Sequence, residues 1–198
     1  MTQTRTWRTS SSSESLPTQP IPTPSKASGG AVDIRAPRIG DGAPMWRLAV
    51  DSQVLDANSS YAYLLWCRDF RSTSVVAEID GAIVGFVTGY LRPEAPDVLF
   101  IWQVAVDHAF RGRGIGVKML DRLVYDVAGH GISVLETTVS PDNEASLAMF
   151  ASLARRHGAE LTRETLFTPE DFPDGHESED LYRISPLRNG GGNTTEER

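Results

Sequence analysis

The stretch VLFIWQVAVDHAFRGRGIGV, residues 98–117, changes character halfway along. Through Val106 it is mostly β-branched, aromatic or otherwise apolar, which predicts a buried strand. A short turn follows, and Arg111-Gly112-Arg113-Gly114-Ile115-Gly116 then opens an amphipathic helix running from Ile115 to about Ala128. A strand that feeds a helix through glycines presents successive backbone N–H groups with no side chains in the way. Such a nest at a helix N-terminus suits phosphate oxygens. Arg111 and Arg113 add positive charge and paired donors for a diphosphate.

Three phosphate-binding patterns compete for this loop. A Walker A loop fails, because no hydroxyl residue follows a lysine at the required spacing. A dinucleotide fingerprint is one residue short at Gly112-x-Gly114-x-Gly116, and no repeated βαβ pattern surrounds it. The third pattern, Arg/Gln-x-x-Gly-x-Gly/Ala, is met by Arg111, Gly114 and Gly116. On these residues the chain resembles the acetyl-CoA-dependent N-acetyltransferases of the GNAT superfamily, whose pyrophosphate loop has this form. A second segment, Pro141-Asp142-Asn143-Glu144-Ala145-Ser146, resembles the strand-to-helix junction that lies beside the cofactor in that superfamily.

Working outward, Val32–Arg35 reads as a strand, and Asp41 can cap a helix carrying Trp46, Leu48 and Val50. A second helix is predicted from about Asn58 to Arg68, with Tyr61, Leu64 and Leu65 at core-facing spacing. Ser74–Ile79 alternates as a strand, and Asp80-Gly81 signals a hairpin into Ala82–Leu91, which Pro93 and Pro96 break. After the strand 98–106 and its helix come a strand at Ile132–Val139 and a helix from Pro141-Asp142-Asn143 to about Arg156, stopped by Gly158. Weaker strands lie near Glu160–Leu166 and Asp180–Ile184. The order β-α-α-β-β-β-α-β-α-β-β is that of the GNAT fold. The expected class is therefore α/β, with a mixed (α+β), mostly antiparallel sheet splayed at the acetyl-CoA site and helices on both faces.

The chain has 198 residues, 40% of them hydrophobic, and a formal net charge of −7. Residues 1–31 and 188–198 are poor in apolar side chains and should be disordered tails, leaving one domain over 32–187. The acidic balance argues against nucleic-acid binding, which needs a basic face. No apolar run approaches the ~20 residues of a membrane span, and no signal-peptide core is present at the N-terminus. Cys67, the single cysteine, rules out an intrachain disulfide and suits a cytoplasmic protein. It is expected to be a small buried residue rather than a nucleophile.

The resemblance implies specific roles. Backbone groups of Val104, Ala105 and Val106 would bind pantetheine and the developing oxyanion. Arg111, Gly112, Arg113, Gly114, Ile115 and Gly116 would hold the diphosphate. Asn143 would meet the pantetheine amides, and Ser146 would lie near the phosphate end; Asn143 also suits a helix N-cap. Many superfamily members carry a tyrosine seven residues after that asparagine, as general acid for the departing thiolate, and here the residue is Phe150. With a free-thiol pKa of ~8.5, a thiolate is a fair leaving group near neutrality.

More specific segments are Leu55-Asp56-x-Asn58-Ser59-x-Tyr61, Phe100-Ile101-Trp102-Gln103-Val104-Ala105-Val106, Leu135-Glu136-Thr137-Thr138-Val139 and His176-Glu177-Ser178-Glu179. They are similar to a branch of the superfamily that acetylates the γ-amine of L-2,4-diaminobutyrate, an early step in making the compatible solute ectoine. The branch implies a cytoplasmic homodimer with a small diamino acid as substrate and no metal. It places Asp56, Tyr61, Trp102, His176 and Glu179 in the acceptor pocket. Asp56 and Glu179 would hold ammonium groups, Tyr61 would hydrogen-bond the substrate, and Trp102 would shape the pocket. Glu179, or a water held by acidic groups, would remove the amine proton. An alkyl ammonium of pKa ~10 is only about one part per thousand neutral at pH 7, so a base matters. A metal site from His176, Glu177 and Glu179 lacks a ligand spacing to support it. Two other readings stay open: acetylation of another amine (a small diamine, a polyamine or a protein N-terminus), and an acetyl-CoA-binding sensor without activity.

Overall fold

The computed structural model describes residues 30–52, 55, 58–173 and 178–187. The expectations for residues 1–29 and 188–198, and for Asp56 and His176, fall outside them. The described residues form seven strands and four helices: β1 Asp33–Arg35, α1 Gly42–Ser52, α2 Ser60–Asp69, β2 Val75–Ile79, β3 Ala82–Arg92, β4 Ala95–Val106, α3 Ile115–Val127, β5 Val134–Val139, α4 Glu144–His157, β6 Glu160–Phe167 and β7 Glu179–Ser185. They build one sheet in the order β1-β2-β3-β4-β5-β7-β6. Only β4 and β5 are parallel, joined by α3 as the crossover. The expected element order and mixed sheet are both present.

Local chemistry accounts for the joints. Asp80 and Gly81 have φ of 51° and 79°, and Ile79 pairs with Ala82. Positive φ at both central residues makes this the tight turn whose twist matches its strands. Helix α4 starts at Asn143, whose side chain accepts from Ser146 N–H. It stops at Gly158, in the left-handed conformation with φ 59°, and Arg155, Arg156 and His157 complement its C-terminal dipole. Pro96 lies inside β4 near its start rather than before it, so β4 begins three residues earlier than the apolar run suggests.

Each face of the sheet has its own core. Helices α3 and α4 bury Met119, Leu120, Leu123, Phe150 and Leu153 against β-strand residues such as Leu99, Ile101 and Leu135. On the other face α1 and α2 bury Met45, Ala49, Tyr63 and Cys67 against Val76, Phe86 and Ala105. Three expectations are corrected here. In α2 the stripe facing the sheet is Tyr63, Trp66 and Cys67, whereas Tyr61 is 65% and Leu64 40% exposed. Both stripes have helical spacing in a helix apolar nearly all round, so only the contact with the sheet chooses between them. In α1, Met45 and Ala49 are buried and Val50 is exposed. Asp41 acts one turn earlier than expected: its carboxylate accepts from Arg38 N–H at 2.6 Å and pairs with Arg35. Cys67 is buried as expected, and burial pushes its thiol up to about 11.

Candidate active site

A slip in the pairing of β3 with β4 begins the site. Thr88 pairs with Gln103 and the next residue, Gly89, pairs with Ile101, so Trp102 is an extra, bulged residue on β4. A bulge shifts the side-chain alternation by one. Ile101 faces the α3–α4 core, and so does Val104 rather than Gln103. Gln103 instead meets Tyr63 of α2, and Trp102 stacks on Trp66, ring centroids 4.8 Å apart. Gly89 permits this: a Cβ there would meet Phe100 O at 2.8 Å and Thr73 O at 3.2 Å.

Beyond the bulge, β4 and β5 part. Their ladder runs from Val98 with Val134 to Ile101 with Thr137 and ends. Thr138 and Val139 still pair with β7, and Gln103 to Val106 still pair with β3. The β5-facing edge of β4 from Val104 to Val106 thus opens into a gap instead of meeting a strand. That is the splay expected from the sequence, and it leaves a sheet edge able to pair with an extended amide-bearing chain.

Two clefts meet at this gap. One, of about 430 Å³, is lined by Val104, Ala105 and Val106, by Arg111, Gly112, Gly114, Ile115 and Gly116, and by Asn143 and Ser146 of α4. Gly112 and Gly114 have φ of 77° and 72°, a conformation that favours glycine, and a Cβ at either would meet nothing within 4 Å. The loop is therefore an open cradle. The helical ladder of α3 starts with Lys118 N–H to Gly114 O at 3.1 Å, so the N–H groups ahead of it have no intrahelical acceptor. Arg111 is tied across the loop by Nε donating to Val106 O at 3.1 Å. Arg113 lies with its guanidinium 4.9 Å over the Phe110 ring and does not line the cleft. Gly116 also has a packing task, since a Cβ there would strike Met149 Sδ at 2.5 Å. These features fit a diphosphate.

The second cleft, of about 420 Å³, is lined by Trp102, Gln103, Asn58, Ser140, Phe150 and Glu179 among others. Leu55, Val104, Asn143 and Ser146 line both clefts, so the two are continuous at the splay. Trp102 is 38% exposed. Glu179, at the start of β7, accepts a long hydrogen bond from Ser140 Oγ at 3.4 Å. Phe150 is buried and brings no hydroxyl. Tyr61, on the first turn of α2, lines neither cleft. Three lining residues carried no sequence signal of function: Ser140, Phe167 and Phe172. Asn58 and Gln103 did fall in segments singled out by resemblance. Burial of Tyr63, behind Gln103, raises its pKa more than hydrogen bonds with Gln103 and Asn58 lower it.

A splayed mixed sheet with a glycine–arginine cradle on one side of the gap and an acidic, aromatic cleft on the other defines an acyl-CoA-dependent N-acyltransferase. The chain belongs to the acetyltransferase (GNAT) family, which matches residues 44–154. Within it, the chain stands among the L-2,4-diaminobutyric acid acetyltransferases. It is 61% identical over 158 residues to the one from Nocardia farcinica, covering 80% of this chain and 82% of that protein. It is 58% identical over 163 residues to the one from Streptomyces coelicolor, covering 81% and 96%. The solved structure of the Paenibacillus lautus diaminobutyrate acetyltransferase, in complex with L-2,4-diaminobutyric acid and coenzyme A, superposes with a TM-score of 0.77 at 41% identity, covering 83% of this chain and all of that one. The ribosomal-protein-S18-alanine N-acetyltransferase of Escherichia coli, at 19% identity and a TM-score of 0.58, shares the fold alone.

Proposed function

We infer that this protein transfers the acetyl group of acetyl-CoA to the γ-amine of L-2,4-diaminobutyrate, giving N4-acetyl-L-2,4-diaminobutyrate in the biosynthesis of ectoine. The observation that carries this is the junction of the two clefts at Val104, Asn143 and Ser146. A donor held in the Arg111–Gly116 cradle and an amine held beside Glu179 meet there. Bringing them together replaces a bimolecular encounter with a positioned one.

The chain's residues supply the remaining needs. Backbone N–H groups along the open edge of Val104–Val106 stabilise negative charge on the reacting carbonyl oxygen. Glu179 receives the amine proton, directly or through a water, and Trp102 offers its π face to an ammonium group. Asp56 and His176 are assigned to the acceptor by resemblance; Tyr61, which lines neither cleft, is not. With Phe150 at the usual tyrosine position, the sulfur leaves as thiolate or takes its proton from water. We propose further that the enzyme is a cytoplasmic homodimer. The half-exposed aromatic group of Phe70, Tyr90, Phe100 and Trp102 on one sheet face supports a protein contact there, and sedimentation equilibrium measures it.

The decisive assay compares CoA release with diaminobutyrate, ornithine and lysine side by side. Diaminobutyrate should have the highest kcat/KM. A preference for another amine would move the assignment to that acceptor, and no release with any amine would leave an acetyl-CoA-binding sensor.

A further inference from the structure

The two clefts meet where an acyl group changes partners, and the floor beneath that junction is closed. This bears on which acyl groups the enzyme accepts, and it rests on the functional reading above. Three directions around the reacting carbonyl are already taken. The donor lies in the Arg111–Gly116 cradle, so its sulfur points back along that cleft. The carbonyl oxygen meets the open edge of Val104–Val106. The amine arrives from the side of Trp102 and Glu179. The acyl tail is left to face the inner end of the gap.

That end is shut on two sides. Ile101 and Thr137 form the last rung of the β4–β5 ladder, and Thr137 Oγ1 donates to Ile101 O at 3.1 Å. Lengthening the gap in that direction breaks a buried hydrogen bond. The other side is Phe150. Asn143, Ser146 and Phe150 follow one another along one side of α4, and all three line the acceptor cleft. Phe150 is 2% exposed and belongs to the same core as Ile101, Val139 and Leu153. A close-packed ring has little room to give way.

We propose that Phe150 is a specificity-determining residue that sets the length of the acyl group. Its ring is the floor against which the acetyl methyl rests, and it excludes longer chains. One methylene group in an apolar pocket changes kcat/KM by about 10–200-fold, so a fixed floor is enough to select acetyl.

The test uses the full-length enzyme with L-2,4-diaminobutyrate as acceptor and compares acetyl-CoA with butyryl-CoA, whose acyl chain is two methylenes longer. The readout is the ratio of kcat/KM for butyryl-CoA to that for acetyl-CoA, measured by CoA release. Wild type should give a ratio of about one hundredth or less. Phe150→Ala removes the ring and should raise the ratio about tenfold or more. Phe150→Leu lowers the floor while keeping it apolar. It should raise the ratio by a smaller factor, and it covers the case in which Phe150→Ala does not fold. Leu153→Ala opens the same core on the same helix but lines neither cleft. It should stay within about twofold of the wild-type ratio, since general loosening slows both donors alike. An equal rise in Leu153→Ala overturns the proposal, as does a wild type that uses both donors equally well. Wild-type enzyme that releases no CoA from acetyl-CoA overturns the functional reading and this inference together. Wild-type turnover with an unchanged ratio in the folded Phe150 variants overturns this inference alone.

Discussion

At the scale of single residues, the donor and acceptor sides of the site can be separated by substitution. Glu179→Gln removes the carboxylate next to Ser140 while keeping its shape. At saturating diaminobutyrate kcat should fall on the order of a hundredfold; a wild-type kcat would end its assignment as base. Trp102→Ala should raise KM for diaminobutyrate about tenfold and leave KM for acetyl-CoA nearly unchanged, because its ring lines only the acceptor cleft and stacks on Trp66. Arg111→Ala should do the reverse, since Arg111 lines only the donor cleft and its guanidinium is the charged group among the residues lining it. Steady-state kinetics with each substrate varied in turn distinguishes these outcomes. Gly112 and Gly114 of the cradle were legible because a backbone at positive φ favours glycine. The direction of Gln103 was not, because nothing in a residue's type says which way a bulged strand will turn it.

At the scale of elements, one arginine ties β1 to β2 and to the turn before α1. Arg35 on β1 donates to Asp41 Oδ2 at 2.7 Å and Oδ1 at 3.1 Å, and to Glu78 Oε2 on β2 from Nε at 2.9 Å and Nη2 at 2.7 Å. Replacing it with methionine leaves two partly buried carboxylates without their cation, so unfolding free energy should fall by roughly 3 kcal/mol in urea titrations. Burial alone would raise the Asp41 pKa, but the hydrogen bonds from Arg35 and Arg38 N–H outweigh it and hold the carboxyl below its ordinary value. A depressed folded pKa contributes stability that is complete above the unfolded value of about 4 and is lost as pH falls through the lower folded value. The melting temperature should therefore drop more steeply below about pH 4 in wild type than in Asp41→Asn, which melting curves across that range will show. Gly89→Ala tests the bulge itself. Its Cβ would meet two backbone oxygens, so a loss of about 2 kcal/mol is expected in the same titrations. The two stripes of α2 show the limit of sequence at this scale: Tyr61, Leu64, Leu65 and Tyr63, Trp66, Cys67 have equal claim by spacing, and only docking on β3 and β4 separates them.

At the scale of the whole molecule, the candidate active site exists because the sheet fails to close between β4 and β5. We propose on composition that the domain is residues 32–187. A chain trimmed to it should release CoA with kcat within about twofold of the full chain, and a larger loss would show that the trimmed segments serve the site. The sequence by itself determined the element order, the hairpin at Asp80-Gly81, the glycine–arginine loop at the start of α3 and the family, because each is written in residues close along the chain. The bulge at Trp102, the sheet-facing side of α2, the seam shared by the two clefts and the pairing of Tyr63 with Gln103 were decided only by the tertiary structure. Each depends on strands and helices distant in sequence settling their register against one another, and a shift of one residue on β4 is enough to send a side chain to the opposite face.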